Sequence, residues 1–373
     1  MGLPQIIINF AQKAASAITR SEKGVVCLLL DDATTSGELK DLYTYEFAAQ
    51  VDEKHWTEDN VKIIKETLAA GPSKVYVVRV ANSKSFDDVK ATVDSLSFNW
   101  LAYTSSSAQS NIVEYVQARN GKSKGKKVKA VVFSATGPND EHIVNFANTK
   151  VKRKTDSAEI AGNFYVGRLA GLLAALPFTR SSTYYVLNDL EYVTEPEDVD
   201  AAIDAGKFVI INDFGEPKIG RGVNSLTTVG DGKTDDWKSI VIIEAIDLIL
   251  EDIYTTFKSE YVGKYKNKYD YQCIFLSAVN RYFEALEKED VLDNEYDNHA
   301  ESARDELLRK LFHARHKATM GGVSNWEKLL DHYYSGEYEE MIENISSFSG
   351  PGGATRNACI RLIKTIAKSE EVN

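Results

Sequence analysis

Long apolar runs alternate with amphipathic segments along the first part of the chain. Runs without a polar face are typical of strands buried in a parallel sheet, whereas apolar residues spaced three and four apart predict helices. The alternation therefore predicts an α/β domain, which we place at residues 21–150. The predicted strands cover residues 25–30, 74–80, 100–103 and 126–134, and the predicted helices begin near Thr57, Ser85 and Asn111.

The stretch from Lys207 to Val262 carries a second pattern. Two β-branched runs, Phe208–Asn212 and Lys218–Val229, flank a turn at residues 215–217 and predict a hairpin. Isoleucines at helical spacing from Ile240 onward predict a long helix with one wide apolar face. With a helix predicted at residues 157–176 and a strand at 183–187, we assign residues 151–293 to a core sheet-and-helix domain. The predicted fold class is mixed α/β.

The two ends of the chain differ from this body. Residues 294–373 read as charged helices and a Gly-Pro-Gly-Gly loop, so we treat them as a separate helical region. Residues 1–20 hold a short apolar run formed by Ile6, Ile7, Ile8 and Phe10. A run so near a terminus needs a partner. It is either an edge strand of the chain's own sheet or an arm that pairs with another subunit.

Composition excludes several classes of protein. The formal charge of −11 argues against nucleic-acid binding, which needs a basic surface. We interpret the basic clusters at residues 121–129 and 150–154 as solvated loops. Three isolated cysteines fit a reducing compartment. The N-terminus does not resemble a signal peptide, and no apolar run is long enough to predict a membrane span.

A search for catalytic motifs finds no convergent set. The Gly230–Thr234 segment lacks the spacing of a phosphate-binding loop, and His313 with His316 lacks further metal ligands. Asp31 and Asp32 follow a predicted buried strand, where α/β enzymes often hold catalytic carboxylates, although such a pair more often caps a loop. We therefore expect no enzymatic activity, no cofactor and no metal, with a cytosolic α/β enzyme near Asp31 and Asp32 as an alternative.

Several segments, in this order, resemble the contractile tail sheath family of phages, phage-like particles and R-type tail bacteriocins. They are MGLPQIIINF with AITRSEKGVVCLLL, the segment GNFYVGRLAGLLAALPFTRSSTYYVLND, the segment INDFGEPKIGRGVNSLTTV, and the two helices that end at KEDVLD. The third is the most specific, and Arg221, Asn224, Ser225, Leu226, Thr227 and Thr228 lie at its centre.

The resemblance implies a structural polymer that stacks as rings around an inner tail tube and contracts. It implies homo-oligomeric contacts, baseplate and tail terminator partners, and assembly in the bacterial cytoplasm into the tail of a phage or phage-like particle. Ile6, Ile7, Ile8 and Phe10 would form an inter-subunit arm, and the Arg221–Thr228 segment would help to build the core sheet as its platform. Family members typically end in an apolar strand, whereas this chain ends in predicted helices. A non-polymerising tail assembly factor is therefore a further alternative.

Overall fold

A computed structural model describes residues 24–35, 37–123, 125–230, 232–265, 269–302 and 337–347, with single positions at 18, 305–306, 360 and 363–364. The chain divides into two compact units, Thr19–Thr256 and Phe257–Asn373 with Met1–Ile18. The four-part division remains a prediction about domains.

Twelve strands lie within the described part of the first unit. Seven of them form a mainly parallel sheet in the order β10-β6-β5-β4-β1-β3-β2, in which only β2 is antiparallel. The others form a three-stranded sheet, β8-β7-β9, and a β11-β12 hairpin. The strands are β1 (Val25–Asp32), β2 (Leu42–Tyr45), β3 (Lys74–Ala81), β4 (Trp100–Tyr103), β5 (Lys129–Phe133), β6 (Ile143–Phe146), β7 (Lys150–Arg153), β8 (Ile160–Ala161), β9 (Leu190–Val193), β10 (Lys207–Phe208), β11 (Ile210–Asp213) and β12 (Glu216–Ile219).

Helices cover both faces of the seven-stranded sheet. Alternate residues of β1 point to opposite faces: Leu28 joins the apolar cluster with α1 and α4, and Leu29 joins the cluster with α2 and α3. This layering confirms the predicted α/β class and explains why β1 is apolar throughout. The helices of the first unit are α1 (Glu58–Ala69), α2 (Phe86–Asp94), α3 (Gln109–Lys122), α4 (Val166–Ala175), α5 (Val199–Asp204) and α6 (Ile240–Thr256).

The predicted hairpin exists, but it is shorter than the sequence pattern suggested. Its turn is Phe214–Gly215, so Pro217 belongs to the second strand. Proline is tolerated there because its nitrogen, which has no hydrogen to donate, faces away from the first strand. β12 ends at Ile219 rather than at Val229. We predicted that residues 220–228 help to build a core sheet, but they form no strand. Val223 makes only an isolated bridge to Ser239.

Three other local predictions are wrong. Residues 183–187 form turns with one bridge, and the strand follows them as β9. The helix predicted at residues 157–176 is only α4, preceded by β8 and a 3₁₀ turn at Gly162–Tyr165. The basic segment 150–154 is not a solvated loop, since it contains β7, and Arg153 is buried between Glu66 and Asp156.

The described part of the second unit opens with a π-helical turn at Phe257–Tyr261 and continues with α7 (Tyr269–Lys288) and α8 (Tyr338–Ser347). Both helices were predicted. Ile6, Ile7, Ile8 and Phe10 lie outside the described residues, as do His313 and His316.

Candidate assembly surfaces

The β11-β12 hairpin ends in an unusually exposed aromatic tip. Phe214 and Gly215 both have positive φ angles, 49° and 84°, as in the type I′ turns that join two-residue hairpins. The first of these two turn positions is usually occupied by Asn, Asp or Gly, because a bulky side chain is strained at a positive φ. The Phe214 side chain is fully exposed, at 101%. The tip is therefore strained and exposed at once.

Both long edges of this hairpin already have hydrogen-bond partners. On the β11 side, the Asn148 amide accepts from Ile210 N at 2.7 Å and donates to Ile210 O at 2.8 Å. Asn212 N donates to Glu195 Oε1 at 2.7 Å. On the β12 side, Ile219 O accepts from the backbone of residue 184 at 2.7 Å. A strand from another subunit could pair here only by displacing these contacts.

An open edge lies at the other end of the first unit. Arg79 N donates to Asp41 O at 2.9 Å, so these two residues form a hydrogen-bonded pair. Hydrogen-bonded and non-hydrogen-bonded pairs alternate along an antiparallel ladder, and the backbone N–H and C=O groups of Leu42 and Thr44 therefore point away from β3. Among the described residues these outward backbone groups of β2 have no partner. β2 therefore offers the unpaired edge that strand addition requires.

The predicted platform residues lie in an irregular segment held by side-chain hydrogen bonds. Ser225 N donates to Ile143 O at 2.7 Å, and Ser225 Oγ donates to Asp140 O at 2.9 Å. Asn139 Oδ1 accepts from the backbones of Thr227 and Thr228 at 2.8 and 3.0 Å. Asn224, Ser225 and Leu226 are buried, whereas Arg221, Thr227 and Thr228 are exposed.

A buried ionic cluster fastens α6 to the amino ends of β5 and β6. Lys129 Nζ lies 2.7 Å from Asp247 Oδ2 and 3.2 Å from Glu244 Oε1. His142 Nε2 lies 3.2 Å from Asp247 Oδ1, and His142 N donates to Asp140 Oδ1 at 2.8 Å. The side chains of Lys129 and Asp247 are only 5% and 9% exposed. The helix therefore meets the sheet through paired charges as well as apolar contacts.

The titration properties of the cluster follow from this pairing. Burial alone would lower the pKa of His142, but hydrogen bonds to Asp140 and Asp247 raise it to about 9. Burial would raise the pKa of Asp247, but the Lys129 charge and the His142 hydrogen bond hold it at about 2. Burial also disfavours the charged form of Lys129, and the Asp247 and Glu244 charges outweigh it and raise the pKa. At neutral pH all three are ionised.

The same region contains three side chains that could ligate a metal ion, and two of them are carboxylates paired with protein cations. Asp140, Glu141 and His142 offer ligand atoms within 4.8 Å of one another. However, Lys233 Nζ lies 2.6 Å from Glu141 Oε1, and His142 is itself cationic beside Asp140. The carboxylates of Asp140 and Glu141 are therefore each paired with a side-chain cation of the protein.

Asp31 and Asp32 lie where the alternative enzyme hypothesis placed them, at the carboxyl end of β1 next to β4. Asp32 is 1% exposed and accepts hydrogen bonds from Thr57 N at 3.1 Å and Asn60 Nδ2 at 2.7 Å. Arg79 Nε lies 3.4 Å from Asp32 Oδ1, and Tyr103 Oη donates to Asp31 at 2.5 Å. These contacts tie the carboxyl end of β1 to the start of α1 and to β3 and β4, so the carboxylates have structural partners.

Sequence reasoning missed most of these residues. The lysine at position 129 fell within a cluster interpreted as a solvated loop, and no local signal marks its partner Asp247, 118 residues away. Phe214 could have been found, because a phenylalanine directly before a glycine in a predicted hairpin is unusual.

Comparisons with known proteins agree with the fold. Residues 232–319, which include α6 and α7, match the phage tail sheath C-terminal domain. A tail sheath protein of Clostridium phage phiCD119 is 29% identical over 307 residues, covering 79% of this chain and 83% of the relative. Within the described residues, no helix is long and apolar enough to span a membrane.

Solved sheath structures share the fold. The sheath tail protein from Desulfitobacterium hafniense has a TM-score of 0.64 at 16% identity, covering 79% of this chain and 91% of that one. The helical sheath of the anti-feeding prophage in its contracted state has a TM-score of 0.60 at 13% identity, covering 81% and 87%. The resemblance drawn from the sequence is confirmed: the chain is similar to tail sheath proteins of contractile systems.

Proposed function

We propose that this chain is the repeating subunit of a contractile tail sheath. Subunits would stack as rings around an inner tail tube, and contraction of the sheath would drive the tube through a target envelope. The observation that carries this proposal is the 29% identity to a phage tail sheath protein over 79% of the chain. The doubly covered sheet with structurally engaged carboxylates favours a structural role over catalysis.

The partners follow from the same proposal. The chain would contact copies of itself, the inner tube protein, the baseplate and the tail terminator, in the tail of a phage or phage-like particle assembled in the bacterial cytoplasm. A structural neighbour in an anti-feeding prophage baseplate, with a TM-score of 0.56 and 12% identity, is consistent with a baseplate contact. No nucleic-acid or membrane partner is proposed, in keeping with the formal charge of −11.

Strand exchange would link the subunits. Ile6, Ile7, Ile8 and Phe10 would form the arm, and the open edge of β2 offers the backbone groups at Leu42 and Thr44 that an added strand needs. The Arg221–Thr228 platform would contribute its exposed side chains to the contact rather than a strand of its own.

Negative-stain microscopy of the purified protein, with and without its tube protein, tests the function. We expect regular tubes with the intact chain and a folded monomer when residues 1–12 are deleted. If the chain without residues 1–12 still forms normal sheath, these residues are not the inter-subunit arm. A monomer under all conditions would instead favour the assembly factor.

Thr44→Pro tests the β2 edge separately. The Thr44 nitrogen points outward, so proline there removes a donor needed by an incoming strand without breaking the β2-β3 ladder. We expect an unchanged melting temperature and lost assembly. The Thr44→Val variant keeps the backbone donor and is the matched control. Equal assembly by both variants would exclude this edge.

A further inference from the structure

Five charged side chains connect α1 and α4 with the three-stranded sheet. Arg153 of β7 lies between two carboxylates, since its Nη2 is 2.6 Å from Glu66 Oε2 and its Nη1 is 3.2 Å from Asp156 Oδ2. Arg168 Nη2 of α4 lies 3.3 Å from Oδ1 of Asp189, which directly precedes β9. The five side chains are between 6% and 30% exposed. We call this group the Glu66 cluster.

The Glu66 cluster lies beside an apolar contact between the same elements. Val151 of β7 and Leu190 and Val193 of β9 belong to the apolar cluster that includes α1 and α4. Tyr165, which is fully buried, belongs to it as well, and its Oη donates to Asp189 at 2.7 Å. The charges therefore act at the contact that holds the three-stranded sheet on these two helices.

The Glu66 cluster contains one carboxylate more than it has cations. Three carboxylates, at positions 66, 156 and 189, face two guanidinium groups, so the fully ionised cluster has a net charge of −1. A buried charge is costly unless an opposite charge is paired with it. A proton on one of the three carboxyl groups removes the excess.

No further basic side chain is paired with the Glu66 cluster in the part of the chain that the structure describes. Each lysine or arginine of α1 and β3 has another contact: these are the Lys62–Glu58, Lys65–Glu53 and Arg79–Asp32 pairs and the contact of Lys74 with the Tyr76 ring. Lys152 lies on the opposite face of β7 and donates to the backbone carbonyl of Asp156, and Lys154 is exposed.

These surroundings decide where Glu66 titrates. Burial disfavours the charged carboxylate most, and Arg153 favours it. Asp189 and Asp156 again disfavour it, and together these effects raise the pKa of Glu66 from 4.5 to about 7. The folded chain therefore holds a proton that the unfolded chain releases near pH 4.5. The stability that this proton contributes is full below pH 4.5 and is lost as the pH rises through 7.

We propose that the Glu66 cluster is a pH-sensitive contact inside the subunit. A proton on Glu66 balances the charge of the cluster and holds the three-stranded sheet on α1 and α4. Loss of the proton leaves an excess buried negative charge, which weakens this contact. The proton exchanges with solvent at the Glu66 carboxyl, which is 23% exposed. The contact lies within one subunit and does not depend on the sheath function.

Carbon-13 NMR titration of the full-length chain, labelled at its glutamate side-chain carboxyl carbons, measures the binding of the proton. The Glu66 signal is the one absent from the Glu66→Gln variant, and we expect its midpoint near pH 7. Asp156→Asn removes the excess carboxylate and should lower this midpoint by roughly 1 unit, the size expected for loss of a nearby like charge. A midpoint near the ordinary value of 4.5, or one that Asp156→Asn leaves unchanged, would overturn the role of the cluster.

Hydrogen exchange measures the contact itself. After correction for intrinsic exchange rates, amides of β7 and β9 in the wild type should lose protection between about pH 6 and about pH 8. Glu66→Gln has the shape of the protonated side chain and no charge, so it should keep this protection. Equal loss of protection in the two proteins would show that Glu66 does not control the contact.

Denaturant titration gives the size of the effect. The unfolding equilibrium constant of the wild type relative to Glu66→Gln should rise on the order of 100-fold between about pH 5 and about pH 8, because each unit of pKa shift corresponds to a factor of ten. Glu58→Gln is the matched control on the same helix, since Glu58 is 88% exposed, and it should follow the wild type at every pH. A ratio that stays constant with pH would overturn the proposal.

Discussion

Replacing Asp247 with asparagine tests whether the buried ion cluster holds α6 on the sheet. The variant keeps the shape of the side chain. It leaves Lys129, which is 5% exposed, with Glu244 as its only carboxylate partner among the described residues. Breaking one side of a buried ion pair costs about 3–5 kcal/mol, because a charge is left buried without full compensation. Since Glu244 remains at 3.2 Å, we expect the lower end, about 3 kcal/mol.

Thermal unfolding followed by circular dichroism measures this loss. For a domain of 150–250 residues, 1 kcal/mol corresponds to roughly 2–4 °C, so the expected fall in melting temperature is roughly 6–12 °C. The matched control is Glu58→Gln, which breaks the Lys62–Glu58 pair on α1, with side chains 44% and 88% exposed. An exposed pair contributes about 0.5 kcal/mol or less, and the control should barely change the melting temperature.

A companion variant separates charge pairing from packing. Lys129→Met combined with Asp247→Leu and Glu244→Leu replaces the lysine and both of its carboxylate partners with apolar side chains and should recover most of the stability lost in Asp247→Asn. An Asp247→Asn melting temperature within the error of the Glu58→Gln control would refute the reasoning. It would mean that apolar contacts alone hold the helix.

Three further predictions concern the same unit. The pKa of His142 is raised from 6.5 to about 9, so its stabilising contribution is full below pH 6.5 and is lost as the pH rises through 9; His142→Gln should flatten the melting temperature between these values. Gly171→Ala would place its Cβ 2.5 Å from Thr67 O and should destabilise the chain by roughly 1–3 kcal/mol. The control Gly121→Ala meets no atom within 4 Å and should stabilise α3 by roughly 0.5–1 kcal/mol. Denaturant titration measures whether each variant lowers or raises the free energy of unfolding. Asp32→Ala should lower the melting temperature by roughly as much as Asp247→Asn, since each removes a buried carboxylate from its partners, and a variant that melts like the wild type would instead free Asp32 for another role.

The parallel sheet could be predicted from sequence because its central strands are buried on both faces. Such strands must be apolar at nearly every position, as in residues 25–30, and that requirement leaves a local signal. The helices on either face also leave a local signal, since their apolar stripes have helical spacing. Both signals depend only on residues close together in the chain.

The strands β6 and β7 lack such a signal. Each is four residues long. β6 is too short for a clear pattern, and β7 contains two lysines and an arginine, so its pattern resembles a polar loop. Arg153 is nevertheless buried, since Glu66 lies 2.6 Å away across the fold. A charged side chain can be buried in the core only when an opposite charge lies beside it. That partner is often distant in the chain, so the local sequence pattern gives no sign of it.

The helix α6 shows the same limit and gives it a structural meaning. Its isoleucine spacing predicted one buried apolar face, yet Asp247 is buried while Leu250 is 37% exposed. The buried charges contribute little net stability compared with apolar side chains of the same volume, but they accept only one arrangement of partners. We infer that the cluster fixes the angle of α6 on the sheet.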